Sequence, residues 1–197
     1  VGRAYADPPG MLKRAMGQRV FWLIGVIFAL VYVAHGIIIT FAIPLFQGQG
    51  ASHAAAVWAA ALVGAAQVAG RFLFLGWGRQ FTLVGMVRST LLAMVGAALI
   101  LWLAGVAPWL IFLTAAMQGT AIGIVSIVRP ILIADVLGNE GFGVISGALA
   151  IGVLAGAAVA PFVGALILDE AGVEAAIGAV FAMALAATGL ALLVRRG

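Results

Sequence analysis

The chain contains no cysteine, which removes disulfides, thiol catalysis and cysteine-based metal sites from consideration. Charge is almost as scarce: 8% of the 197 residues are Asp, Glu, Lys or Arg, against about 25% in an ordinary soluble domain. So few ionisable groups could not cover the surface of a water-soluble fold. Histidine occurs twice, at His35 and His53, on different elements and with no acid beside either, so no metal site is expected. The glycines lie inside apolar runs rather than after a strand, and none reads as a phosphate loop. These absences argue against an enzyme and against any bound cofactor.

What is present is apolar. Hydrophobic residues make up 65% of the chain and the mean hydropathy is +1.26. A bilayer crossing takes about 20 consecutive apolar residues. Six such runs are visible, from Val20 to Phe46, Ala54 to Gly76, Phe81 to Ala104, Pro108 to Ala134, Phe142 to Leu168 and Val173 to Val194. The expectation is an all-α membrane protein, a bundle of six transmembrane helices over residues 20–197, behind a basic cytoplasmic linker at 1–19. In that linker Pro8 and Pro9 form a stiff connector, and Met11 to Arg19 can form a short basic amphipathic helix on the headgroups or simply a tether. Val1 in place of an initiator Met reads as the start of a fragment or a processed chain.

Basic residues give the orientation. Arg3, Lys13, Arg14 and Arg19 precede the first run, Arg71, Arg79 and Arg88 surround the second turn, Arg129 lies near the fourth, and Arg195 and Arg196 follow the last. In a six-crossing arrangement all ten fall on one side. The opposite loops, Gln47–His53, Gly105–Ala107 and Asp169–Gly172, hold no Lys or Arg. The positive-inside rule then places both termini in the cytoplasm of a multi-pass protein of the cell (inner) membrane. The net charge of +4 thus points to a lipid bilayer as partner, not to nucleic acid. Trp58, Trp77, Trp102 and Trp109 fall near run ends, as interfacial anchors do.

The 27 glycines suit helix association in lipid, where close approach across small residues replaces the hydrophobic drive. Gly152 and Gly156 are expected to form a small-xxx-small pair against a neighbour, and Pro161 to kink the fifth helix. Val68-Ala69-Gly70 in the second run is echoed by Val159-Ala160-Pro161 in the fifth, consistent with a 3+3 inverted repeat.

Gly70-Arg71 followed by Gly76-Trp77-Gly78-Arg79 resembles the cytoplasmic Gly/Arg turn of the major facilitator superfamily, and Gly123 to Pro130 with Asp135, Gly138 and Phe142-Gly143 resembles its helix 10–11 region. The resemblance covers essentially the whole chain as the C-terminal six-helix half, nearest the monocarboxylate or oxalate–formate type. The usual Asp of the Gly/Arg turn is absent, which puts the turn's charge relay in doubt. The resemblance implies secondary-active transport of a small-molecule substrate, such as an organic anion, through a cavity shared with a second six-helix half.

Polar residues inside the runs are the candidate site, because each is costly in hydrocarbon unless paired or wet. Tyr32 and His35 share a face of the first run, and an imidazole there titrates near neutrality. Thr114 and Gln118 share a face of the fourth, and Gln67 and Arg71 of the second. The expected substrate-binding residues are His35, Tyr32, Gln118 and Gln67. The expected cytoplasmic gate is Arg71 and Arg129, the latter pairing with Asp135 or Glu140. For Thr114, Thr120 and Ser126, hydrogen bonding within the bundle suffices. Two other readings stand beside transport by one half: a half-size transporter acting as a homodimer, and a scaffold or assembly subunit that transports nothing.

The topology is testable because the chain is naturally cysteine-free. Single cysteines at Ser52 and Gln80 should react with an impermeant maleimide from opposite faces of sealed vesicles. Reaction of both from the same face would remove the six-crossing arrangement.

Overall fold

The computed structural model describes residues 10–77 (Trp77 by its backbone alone), 80 and 82–194. Arg3, Asp7, Pro8, Pro9, Gly78, Arg79, Phe81, Arg195 and Arg196, as well as the indole of Trp77, lie outside the described residues. Among the described residues all regular structure is helical: α1 (Met11–Met16), α2 (Arg19–Thr40), α3 (Ala42–Gly48), α4 (His53–Trp77), α5 (Leu83–Leu103), α6 (Leu110–Leu137) and α7 (Phe142–Leu193). Five of these, α2 and α4 to α7, are long and apolar enough to cross a membrane.

Local chemistry sets the ends. The hydroxyl of Ser52 accepts from the Ala55 amide at the start of α4, and that of Thr82 accepts from the Gly85 amide at the start of α5, each satisfying one orphan donor of a first turn. The first run is not one helix as expected from Val20 to Phe46. It breaks at Phe41, whose φ and ψ of −110° and 23° leave the helical region. Pro44 is the cause, since its ring has no N–H for the Thr40 carbonyl and crowds it.

The expected fifth and sixth helices are joined without the four-residue loop anticipated at Asp169–Gly172. Helix α7 carries 52 residues and leaves helical geometry at Gly172 alone, with φ 81° and ψ −176°, a conformation open to glycine. At about 1.5 Å per residue an unbroken helix of that length would be far longer than a bilayer is thick. It is folded back instead. Gly141 at its start touches Met11, Leu190 and Leu193 near its end line a groove with Arg19 and Trp22, and Val173 beside Gly172 packs on Gly48. Both ends of α7 therefore sit beside the start of α2, and its middle sits beside α3. Pro161 lies within the first arm, 142–171, and the backbone around it stays helical, so the reversal belongs to Gly172 and not to the proline.

Side-chain contacts give the direction of each pairing. The first arm of α7 runs parallel to α2: Gly25 faces Leu149, Gly156 faces Ala29 and Val33, Gly36 faces Ala160, and Gly164 faces Ile37 and Phe41. Helices α4 and α6 also run parallel, with Val63 against Gly119 and Gln67 against Gly123. The second arm, 173–193, runs antiparallel to α5, since Gly178 lies by Trp102 while Arg88 binds the carbonyls of Ala191, Leu192 and Val194 at 3.2–3.4 Å. That guanidinium closes the last turn of α7, where carbonyls lack helical partners. Arg88 is thus a structural residue.

Close approach depends on particular glycines. A methyl on Gly70 would collide with the Thr120 carbonyl, and one on Gly123 with the Gln67 carbonyl, so α4 and α6 touch backbone to backbone. On α7 the small stripe is Gly156, Ala160 and Gly164. Gly152 is exposed with open space where its side chain would be, so the expected Gly152–Gly156 pair is shifted by one turn. The core between the helices is aliphatic and aromatic, including Phe21, Ile24, Phe28, Val31, Leu91, Met94, Val125 and Leu132.

Gly123→Ala should destabilise the protein by about 1–3 kcal/mol, because backbone cannot yield as a flexible side chain can. Gly152→Ala should be neutral, or stabilising by up to about 1 kcal/mol through helix propensity. Thermal unfolding in mild detergent reads both. Equal melting temperatures for the two variants would mean that the α4–α6 contact is not limiting.

Candidate functional site

Of the first run's polar pair, Tyr32 sits where α2 meets α6. Tyr32 and His35 are both half-buried and one turn apart on α2, between its core side and its α7 side. From α6, Arg129 reaches across so that its guanidinium carbon lies 5.8 Å from the Tyr32 ring centroid. A guanidinium over an aromatic face is attracted by the ring quadrupole, by about 0.5–2 kcal/mol depending on desolvation. The next residue, Pro130, has no N–H to return to the Ser126 carbonyl, which loosens the α6 ladder beside this contact. The Ser126 hydroxyl donates to the Gly123 carbonyl of its own helix at 2.7 Å.

Among the described residues, His35 Nδ1, Arg129 Nη1 and, further along α6, Gln118 Nε2 are buried polar atoms with no hydrogen-bond partner. Two of them, on Arg129 and Gln118, are N–H donors. Leaving a buried donor unsatisfied costs about 1–3 kcal/mol, more for a charged group. Strain, ordered water or a bound ligand each account for such a group. Gln118 is 1% exposed. It lies eleven residues before Arg129 on the same stripe of α6, about 16 Å along the helix. It is therefore set apart from the Tyr32–Arg129 contact. Thr114, one turn before it, is satisfied by donating to the Ala97 carbonyl of α5 at 3.3 Å.

The remaining expected residues are dispersed. Gln67 is half-buried on α4, where its backbone packs on Gly123. Arg71 is exposed one turn later, next to the close contact at Gly70. Asp135 is exposed towards the end of α6. The partner that the structure gives the Arg129 guanidinium is the Tyr32 ring. Tyr32 and Arg129 come together, and His35 lies one turn from Tyr32 on the same helix.

A second polar cluster, at the other end of the bundle, was not anticipated. Gln49, 2% exposed, donates through Nε2 to Glu174 Oε1 at 2.8 Å, and the Trp102 indole N–H donates to Glu174 Oε2. The carboxylate thereby joins the end of α3, the end of α5 and the residues just past Gly172. The available signal was the rarity of acids: Glu174 is one of six in the chain. Trp102 serves as a hydrogen-bonding partner here as well as an apolar anchor, whereas Trp58 and Trp109 are simply exposed, at 72% and 66%.

No family model and no curated protein sequence matches this chain.

Glu174→Ala should destabilise the fold by about 1–3 kcal/mol, since it strands the buried Gln49 amide. Glu174→Gln, which keeps acceptor capacity, should lose less. Urea or thermal unfolding in detergent with the indole fluorescence as probe measures the difference. No loss in either variant would show that the cluster does not hold the Gly172 reversal.

Proposed function

We propose that this chain is one half of a secondary-active transporter that moves a small organic anion by alternating access, built like the six-helix half of the major facilitator fold that it resembles. The chain is a helical protein whose five long apolar helices suit a lipid bilayer. With α7 divided at Gly172, six segments cross, both termini lie on the basic cytoplasmic side, and the whole sits in the inner membrane. Pairing directions support a 3+3 inverted repeat: exchanging first with fourth and second with fifth segments turns the parallel α2–α7 pair into the parallel α4–α6 pair.

The observation that carries the anion reading is the unpartnered Arg129 Nη1 of a guanidinium held over the Tyr32 ring, with the unpartnered His35 Nδ1 one helical turn further along α2, at a depth where an unpaired charge is expensive. A carboxylate bound there would accept from the guanidinium and the imidazole while Tyr32 keeps the Arg129 plane in place. Gln118 supplies a further donor on the wall. Such a site binds and releases; it makes and breaks no bonds, so the reading is not an enzymatic one. The other wall of the cavity is a second six-helix half, encoded in the same chain, a separate chain or a second copy. Its docking face takes in α4 and the later part of the first arm of α7, where Phe72, Leu75, Leu154 and Phe162 are all exposed.

The test is ligand-induced stabilisation of the protein as purified from its membrane, against a panel of small mono- and dicarboxylates. A ligand at 100 times its Kd stabilises by about 2.7 kcal/mol. At least one carboxylate should raise the melting temperature, and the rise should disappear in Arg129→Gln and shrink in His35→Ala. If no carboxylate shifts the parent protein, and it stays an inert monomer in bilayers, the scaffold reading replaces transport.

A further inference from the structure

At the basic end of the bundle two apolar grooves flank a single ridge. One, of about 520 Å³, lies between α1, α2 and the first arm of α7, and includes Leu12, Met16, Gly25 and Gly152. The other, of about 560 Å³, lies between α2 and the end of the second arm, and includes Arg19, Leu190 and Leu193. Both fall in the ~300–1,000 Å³ range of clefts that hold small molecules. Trp22 and Val26 belong to both and form the ridge between them. Trp22 is fixed there: its indole N–H donates to the Met16 carbonyl at 2.9 Å, and its ring stands edge-on to Phe21 at 5.3 Å.

Charge is placed at the same end. Helix α1 turns Leu12 and Ala15 to the core and leaves Lys13 and Arg14 exposed, while Arg19 is exposed at the start of α2. None of these three cations has an ion-pair or hydrogen-bond partner among the described residues. A basic amphipathic helix beside two apolar furrows presents the pattern of an anionic headgroup with two hydrocarbon tails.

We propose that this surface is a binding site for one anionic diacyl phospholipid of the cytoplasmic leaflet, straddling Trp22 with one chain in each groove and its phosphate at Lys13, Arg14 and Arg19. The site requires only that the chain lie in a bilayer, so it stands or falls apart from the transport reading. Bound lipid pins α1 to α2 and to both arms of α7.

The experiment uses a protein in which the other four tryptophans are replaced by Phe, so that emission reports Trp22. It is reconstituted into vesicles of phosphatidylcholine with brominated chains on either phosphatidylglycerol or phosphatidylcholine. Quenching should show an association preference for phosphatidylglycerol of at least about fivefold, the share of one engaged basic side chain. The variant K13Q/R14Q/R19Q should abolish the preference. Gly152→Leu, which fills open space in one groove without touching charge, should lower quenching by both brominated lipids. Equal quenching by the two lipids in the parent, or a preference that survives removal of the three cations, overturns the site. So does a Gly152→Leu variant that quenches like the parent, because headgroup attraction alone would then explain the preference.

Discussion

Backbone touching backbone between parallel helices is the constraint on which the rest of the structure depends. In hydrocarbon there is no hydrophobic gain in bringing two apolar helices together, so adhesion comes from dispersion and from weak polar contacts at close range. Both parallel pairs meet this demand with glycine: Gly70, Gly119 and Gly123 between α4 and α6, and Gly36, Gly156 and Gly164 between α2 and α7. A single methyl at the Gly70 or Gly123 contact would hold the helices apart. The consequences reach Arg129, since the separation of α6 from α2 decides whether the guanidinium can lie over the Tyr32 ring.

Around that contact the polar groups divide by what they do. Arg88 and Glu174 are both engaged, the first closing the end of α7 through Nε and Nη2 and the second joining three helix ends. Thr114, Thr90 and Thr188 are spent on carbonyls within the bundle. His35, Gln118 and Arg129 are not spent. The bundle thus satisfies its buried threonine hydroxyls while leaving a guanidinium nitrogen and an imidazole nitrogen open, together with one atom each of the Gln49 and Gln118 amides. That division supports a site built to receive an acceptor.

Much of this was legible in the sequence because hydropathy and the placement of Lys and Arg act over whole segments. The helices α4, α5 and α6 begin and end within a few residues of the apolar runs. The polar residues worth singling out followed from cost alone, and His35, Gln118 and Arg129 are the ones with open atoms. What escaped was geometry that depends on a partner. Gly152 and Gly156 look alike in sequence, yet only Gly156 faces α2. Pro161 carries the stronger local signal for a bend, but the fold turns at Gly172, where a positive φ is needed. The Tyr32 ring beneath the Arg129 guanidinium likewise depends on how α2 packs against α6, which spacing along one helix does not encode.

The cap at the end of α7 also bears on how the molecule is made. Arg88 bonds carbonyls more than a hundred residues further along the chain. During synthesis α5 therefore enters the bilayer with that guanidinium unsatisfied, held towards the headgroups by its stem. It finds its partners only after the second arm of α7 has left the ribosome. A contact of such high sequence separation forms late. The seam along α5 then closes only when the second arm of α7 arrives.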